Sequence, residues 1–138
     1  MKSKVFKSVF ALTIMLLATV IAFSACSKDS DPRDQFIGIY RTEWSAVYGG
    51  MEYTDTYTLK IFKSSTNPND IIMDNIDNSN ESVRATVSGN AFTIPQQTIL
   101  DMGISGSGTL NNNVLTFSTL ETETGGTQVN LRQVATKQ

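Results

Sequence analysis

The 138-residue chain has no histidine, one cysteine, one tryptophan and three prolines. Without histidine, a Ser-His-Asp triad, a histidine general base and a histidine-ligated zinc site are all excluded. With Cys26 alone, neither an intrachain disulfide framework nor a cysteine metal site can form. The fold must therefore hold by packing. Long apolar runs are missing too. The longest, Val9 to Phe23, has 15 residues interrupted by Thr13 and Thr19, short of the roughly 20 that span a bilayer as a helix. Basic residues are few after the N-terminus. Three of the eleven Lys and Arg residues precede Cys26, which leaves eight against thirteen acidic side chains, a net of −5. Such a surface repels nucleic acid, which is excluded as a partner. No cofactor is expected.

What is present begins with an address. Lys2, Lys4 and Lys7 form a basic segment, the apolar run follows, and the small residues Ser24 and Ala25 stand directly before Cys26. This is the layout of a lipoprotein signal peptide over residues 1–25. Small residues let a peptidase grip the extended backbone, and the Cys26 thiol is the one nucleophile soft enough to take a thioether-linked diacylglycerol. The expected product is a lipid-anchored protein that reaches the membrane through Cys26, with 113 residues left as one domain. Residues 26–35, rich in Ser and Asp, are expected to be a flexible tether. An acidic segment straight after the lipidated cysteine resembles the export signal by which some anaerobic Gram-negative bacteria send lipoproteins to the cell surface. A periplasmic face of the outer membrane is the alternative.

From Phe36 onward the apolar pattern has period two and no helical period. Tyr53, Asp55, Tyr57, Leu59 and Ile61 alternate with Thr54, Thr56, Thr58 and Lys60. Turn residues separate the runs: Gly49-Gly50, Asn67-Pro68-Asn69-Asp70, Asp77 to Asn80, Gly89-Asn90, Asn111 to Asn113 and Gly125-Gly126. Pro95 is expected to end a strand by removing a donor. Strands of mostly 5 to 8 residues follow from this spacing, the last running from Thr127 to Ala135. Eight antiparallel strands in chain order predict an all-β, eight-stranded up-and-down barrel over 36–138. A β-sandwich is the alternative.

Three stretches carry a family resemblance: Phe36-Ile37-Gly38-Ile39-Tyr40, Ala85 through Gln97, and Ile104-Ser105-Gly106-Ser107-Gly108-Thr109 before the Asn-rich turn. Together they resemble the small lipocalin-like (calycin-like) bacterial lipoproteins. That resemblance implies a barrel in which a ring near the start of the first strand packs on a basic side chain from the last. Tyr40 and Arg132 sit at the matching places, with Tyr where lipocalins proper carry Trp. Most such proteins are uncharacterised, so the resemblance implies a fold more than an activity.

Catalytic patterns are thin. Gly106-Ser107-Gly108 lies within a strand and is not a nucleophile elbow; its glycines mark a bulge or room for an aromatic ring. Asp74, Asp77 and Glu81 could offer oxygens to calcium but lack the spacing of a calcium loop, so they read as solvated turn residues and no metal is expected. The expectation is a non-enzymatic envelope lipoprotein acting as a binding or docking module for a protein partner. The alternative is carriage of a small apolar ligand in the barrel. Tyr40, Trp44, Tyr57, Phe92 and Phe117 are the candidate contacts, since rings give the most contact area and Tyr and Trp keep a polar handle. Plain core filling is the competing reading of the same rings. The expected inward set (Tyr40, Trp44, Tyr57, Leu59, Ile61, Val83, Val87, Phe92, Ile94, Leu115, Phe117, Val129, Leu131) is bulky, which predicts a filled interior with a shallow pocket near Tyr40, Trp44 and Tyr57.

Overall fold

A computed structural model describes residues 30–138; the expected signal peptide and Cys26 lie outside the described residues. Eight strands, β1 (Gly38–Tyr48), β2 (Met51–Lys63), β3 (Asp70–Asp74), β4 (Ser82–Ser88), β5 (Ala91–Ile99), β6 (Met102–Asn111), β7 (Val114–Thr122) and β8 (Gln128–Lys137), form a closed antiparallel barrel in chain order. Closure comes from β1 pairing with β8 between Tyr40 and Lys137 at one end and Ala46 and Leu131 at the other. The sandwich alternative falls with that pairing, because no sheet edge separates the first strand from the last.

Period-two sequence becomes alternating burial: in β4, Val83, Ala85 and Val87 face in, and in β8, Leu131, Gln133 and Ala135 do. The interior is packed. Phe36 meets Phe92 edge-on at 6.0 Å and Phe92 meets Phe117 at 5.9 Å, the arrangement aromatic quadrupoles favour. Gly108 makes that stack possible, since a Cβ there would lie 2.7 Å from Phe92 Cζ. The ring-room reading of the Gly106–Gly108 stretch is thus correct at Gly108.

Several boundaries differ from the sequence expectation, each for a local reason. Pro95 does not end its strand. β5 continues to Ile99 through a register shift between Ile94 and Gln97, so the proline sits in a bulge, where its missing donor costs no ladder bond. Several strands are also longer than the expected 5 to 8 residues, with ten in β6 and nine in β5 and β7, and β8 runs past Ala135 to Lys137. The third strand stops at Asp74, and Ile76–Asn78 forms a 3-10 turn that buries Ile76.

Nor is the chain up to Gln35 a bare tether. Asp34–Phe36 is a 3-10 turn with Phe36 in the core. The Arg33 guanidinium donates to the carbonyls of Ser64, Asn67 and Asp70 at 3.1 to 3.4 Å. Asp31 binds Arg33 at 2.7 Å and Lys63 at 3.0 Å, and its hydrogen bonds from Arg33 hold its carboxyl well below the usual carboxylate range. Those polar residues close one end of the barrel, where Gln35 Nε2 also donates to Gly89 O.

Candidate functional site

The other end is the rim, formed by Gly49-Gly50, the Ile76–Asn78 turn, the Leu100-Asp101 turn and the β7–β8 loop. Here the β1–β2 hairpin stands clear of its neighbours: β8 pairs with β1 only as far as Ala46, and β3 pairs with β2 only from Lys60 to Lys63. Its tip is apolar and exposed, with Val47, Tyr48 (58% exposed), Met51 (61%) and Tyr53. Trp44 lies on the inward face at the hairpin's base, half-buried against the core.

Below the rim, five elements bring polar side chains into the barrel. Tyr57 of β2 donates from its hydroxyl to Gln133 Oε1 of β8 at 2.6 Å. Gln133 Nε2 donates to Asp77 Oδ1 and, at 3.0 Å, to Thr119 Oγ1 of β7. Thr119 Oγ1 in turn donates to Asp77 Oδ2 at 3.1 Å. Asp77 reaches this cluster because the chain from Asn75 to Asn80 is turned by four left-handed residues, Asn75, Asp77, Asn78 and Asn80, a conformation Asn and Asp tolerate best among residues with a Cβ. Glu121 of β7 lies beside it. Burial, and next the charge of Glu121, push the Asp77 carboxyl up to about 7. Burial also pushes the Tyr57 phenol up. Behind Tyr57, Thr42 of β1 is wholly buried and its hydroxyl has no hydrogen-bond partner; it lies close enough to the Tyr57 hydroxyl to act on its ionisation but not in bonding geometry.

These positions sort the sequence candidates. Trp44 is the one candidate ring that reaches the rim, and Tyr57 joins the polar cluster through its hydroxyl. Phe92 and Phe117 are core. Tyr40 is not near a mouth but at the closed end, donating to Phe36 O at 2.8 Å, and burial pushes its phenol up to about 12. The expected Tyr40–Arg132 pair does not form. Arg132 lies opposite Ser45 on the outward face, whereas Lys137 stands opposite Tyr40 and holds its Nζ 5.9 Å from the ring centroid. The cation–π partner of Tyr40 is thus Lys137. Gly38 (φ 152°) leaves room for it, since a Cβ there would sit 2.6 Å from Lys137 Cε.

Two further expectations change. Asp77 is not a solvated turn residue, and it does not converge with Asp74, whose carboxylate instead accepts from Ser82 Oγ at 2.6 Å. Val129 is half-buried rather than core. A trough of about 940 Å³ crosses β6, β7, β8, β1 and β2, but on the outside of the wall. Its sides are two outward register rows, Ser107-Ser118-Arg132-Ser45-Thr54 and Thr116-Val134-Glu43-Thr56.

No known protein family and no curated protein matches the chain. Among solved structures it is similar to a Nostoc punctiforme protein of unknown function from the DUF3598 family, with a TM-score of 0.51 and 16% identity. The likeness covers 74% of this chain and 47% of that one, so the chain spans about half its neighbour's length. At that identity the likeness concerns the fold alone, that of an all-β barrel.

Proposed function

We propose that the protein is a non-enzymatic binding module, anchored in the outer membrane by lipid on Cys26, that uses the rim and the β1–β2 hairpin rather than the barrel interior. The observation that carries this reading is the contrast between a filled interior and the exposed apolar side chains gathered at the hairpin tip. Ordinary surfaces scatter such residues singly; a cluster rimmed by polar groups suits a protein partner. Carriage of an apolar ligand inside the barrel is disfavoured by Phe36, Phe92 and Phe117, which occupy the space a ligand would need. Against catalysis, both Asp77 oxygens already accept hydrogen bonds, from Gln133 and from Thr119, and the chain offers no histidine to share proton transfer.

Two measurements test the reading. Mass spectrometry of the membrane-extracted protein is expected to find an acylated Cys26 as the first residue, and a free thiol there would refute the anchor. A photo-crosslinking residue at Tyr48 is expected to trap a partner in intact cells, while one at Ser107 on the outer wall is not. Equal yields from the two positions, or none from Tyr48, would refute docking through the hairpin.

A further inference from the structure

The second strand outruns the one beside it. β2 has 13 residues where β3 has 5, and the two are paired only from Lys60 to Lys63. From Met51 to Thr56, β2 therefore has β1 on one side and no strand among the described residues on the other. Every residue of that stretch is exposed. Alternate residues of an antiparallel strand turn their N–H and C=O groups to opposite sides. The Thr58 carbonyl accepts from Asn75 Nδ2 at 2.9 Å, on the β3 side, so the backbone groups of Glu52, Thr54 and Thr56 point to the open side as well. Of these, the Thr56 N–H alone has a partner among the described residues, Asp55 Oδ1 at 2.7 Å. A free edge of this kind is a template for another strand, and proteins commonly blunt it with lysine, proline or a bulge. Met51 to Thr56 contains neither residue, and its register with β1 is unbroken. The one guard is the charge of Asp55.

We propose that this edge takes up an extended segment of a partner protein as an added strand, and that the segment alternates apolar with basic side chains. Main-chain hydrogen bonds to Glu52, Thr54 and Thr56 supply the attachment, and side chains on alternate positions supply the choice of partner. On the inner face the added strand meets Met51 (61% exposed) and Tyr53 (46%), which are in phase with the buried Tyr57, Leu59 and Ile61; apolar side chains suit that side. On the outer face it meets Glu52. The hairpin from Ala46 to Thr56 and the rim turns carry Glu52, Asp55, Asp77, Asp101 and Glu123 and no Lys or Arg. That imbalance selects a basic segment and opposes a second copy of this chain, whose own edge would bring the same carboxylates. An incoming carbonyl replaces Asp55 at the Thr56 N–H and frees the Asp55 carboxylate to meet a base. The inference rests on the reading of the hairpin as the docking region and names the mode of docking and the chemistry of the partner.

Three capped peptides test it on the full chain: one alternating valine with lysine, one alternating valine with glutamate, and the lysine peptide methylated on every backbone nitrogen. Binding is read by fluorescence anisotropy of the labelled peptide and by amide hydrogen exchange at Glu52 and Thr54. The lysine peptide is expected to bind saturably and to slow exchange at both amides, the glutamate peptide to bind about tenfold more weakly, as opposite against like charges across a strand pair imply, and the methylated peptide not to bind. Thr54→Pro removes an edge donor that β1 does not use, a place where a strand tolerates proline; it is expected to abolish binding with an unaltered far-ultraviolet circular dichroism spectrum. Glu52→Gln combined with Asp55→Asn is expected to erase the preference for lysine over glutamate. Full binding of the methylated peptide, or no saturable binding of the lysine peptide, would overturn strand addition while a Tyr48 crosslink kept docking through the hairpin. Equal binding of the lysine and glutamate peptides would overturn the basic partner, and loss of the Tyr48 crosslink would overturn the hairpin reading itself.

Discussion

Asp77 shows how much a single turn residue can decide. In sequence it is one acid in a polar Asp-Asn-Ser-Asn stretch, a composition that reads as solvated turn; only the run of left-handed backbone around it aims its carboxyl inward. The consequence is a pH dependence. Its folded pKa of about 7 lies above the ordinary 3.8, so the folded state holds the proton more tightly than the unfolded chain does. Stability from this group is fully present below about pH 4 and is lost as pH rises through 7. The melting temperature is expected to fall between pH 5 and pH 8 by an amount on the order of a few kcal/mol in stability, and Asp77→Asn is expected to flatten the profile. A flat profile in the unaltered protein would contradict the burial of this carboxyl. Gly108 makes a second residue-scale case. Its Cβ-free face carries the Phe92 ring, so Gly108→Ala should cost about 1–3 kcal/mol by overpacking, read as a lower denaturant midpoint with unchanged slope. That role was legible in the sequence, since glycines inside a β-pattern signal close approach. The partner of Tyr40 was not: reading β8 as ending at Ala135 left Lys137 outside the strand, and Arg132, of even number like Val134 and Thr136, falls on the outward face.

At the scale of elements, strand identity and order were legible because period-two burial imprints itself directly on the sequence. What hid were the irregularities. A proline in a strand pattern argues for an end, yet here a bulge admits it. The N-terminal segment hid for another reason. Asp31 to Gln35 has no apolar side chain but the proline ring, and it docks by hydrogen bonds from Arg33 to three loop carbonyls, a mode that hydrophobic patterning cannot reveal. The segment is thus part of the domain. A chain beginning at Ser30 is expected to be more stable than one beginning at Asp34, and Arg33→Ala in the longer chain should cost about 1–3 kcal/mol, as expected when charged hydrogen bonds are lost and carbonyls are left bare. Equal melting temperatures for the two chain lengths would show that the docked segment adds nothing.

For the whole molecule the deciding quantity is what fills the barrel. Eight strands enclose a space that side chains can fill or that one small ligand can occupy, and short strands were the sequence-level reason to expect the filled case. That reason does not hold, for β1, β2, β6 and β8 have ten or more residues. The filled interior has a different cause: the stacked rings of Phe36, Phe92 and Phe117 at the closed half, and the hydrogen-bonded Tyr57, Gln133, Thr119 and Asp77 at the other. An apolar chain entering from the rim would have to break that polar network and leave its members unpaired, at a cost apolar contact does not recover. An anionic naphthalene probe is therefore expected to bind weakly and without fixed stoichiometry, and saturating fatty acid should leave both the Trp44 emission and the melting temperature where they were. The carboxylates at the rim oppose such anions as well. A ligand that bound the interior tightly would raise the melting temperature in proportion to the logarithm of its concentration; if one equivalent of a fatty acid did so, the barrel would have to open its polar floor, and the protein would be a carrier.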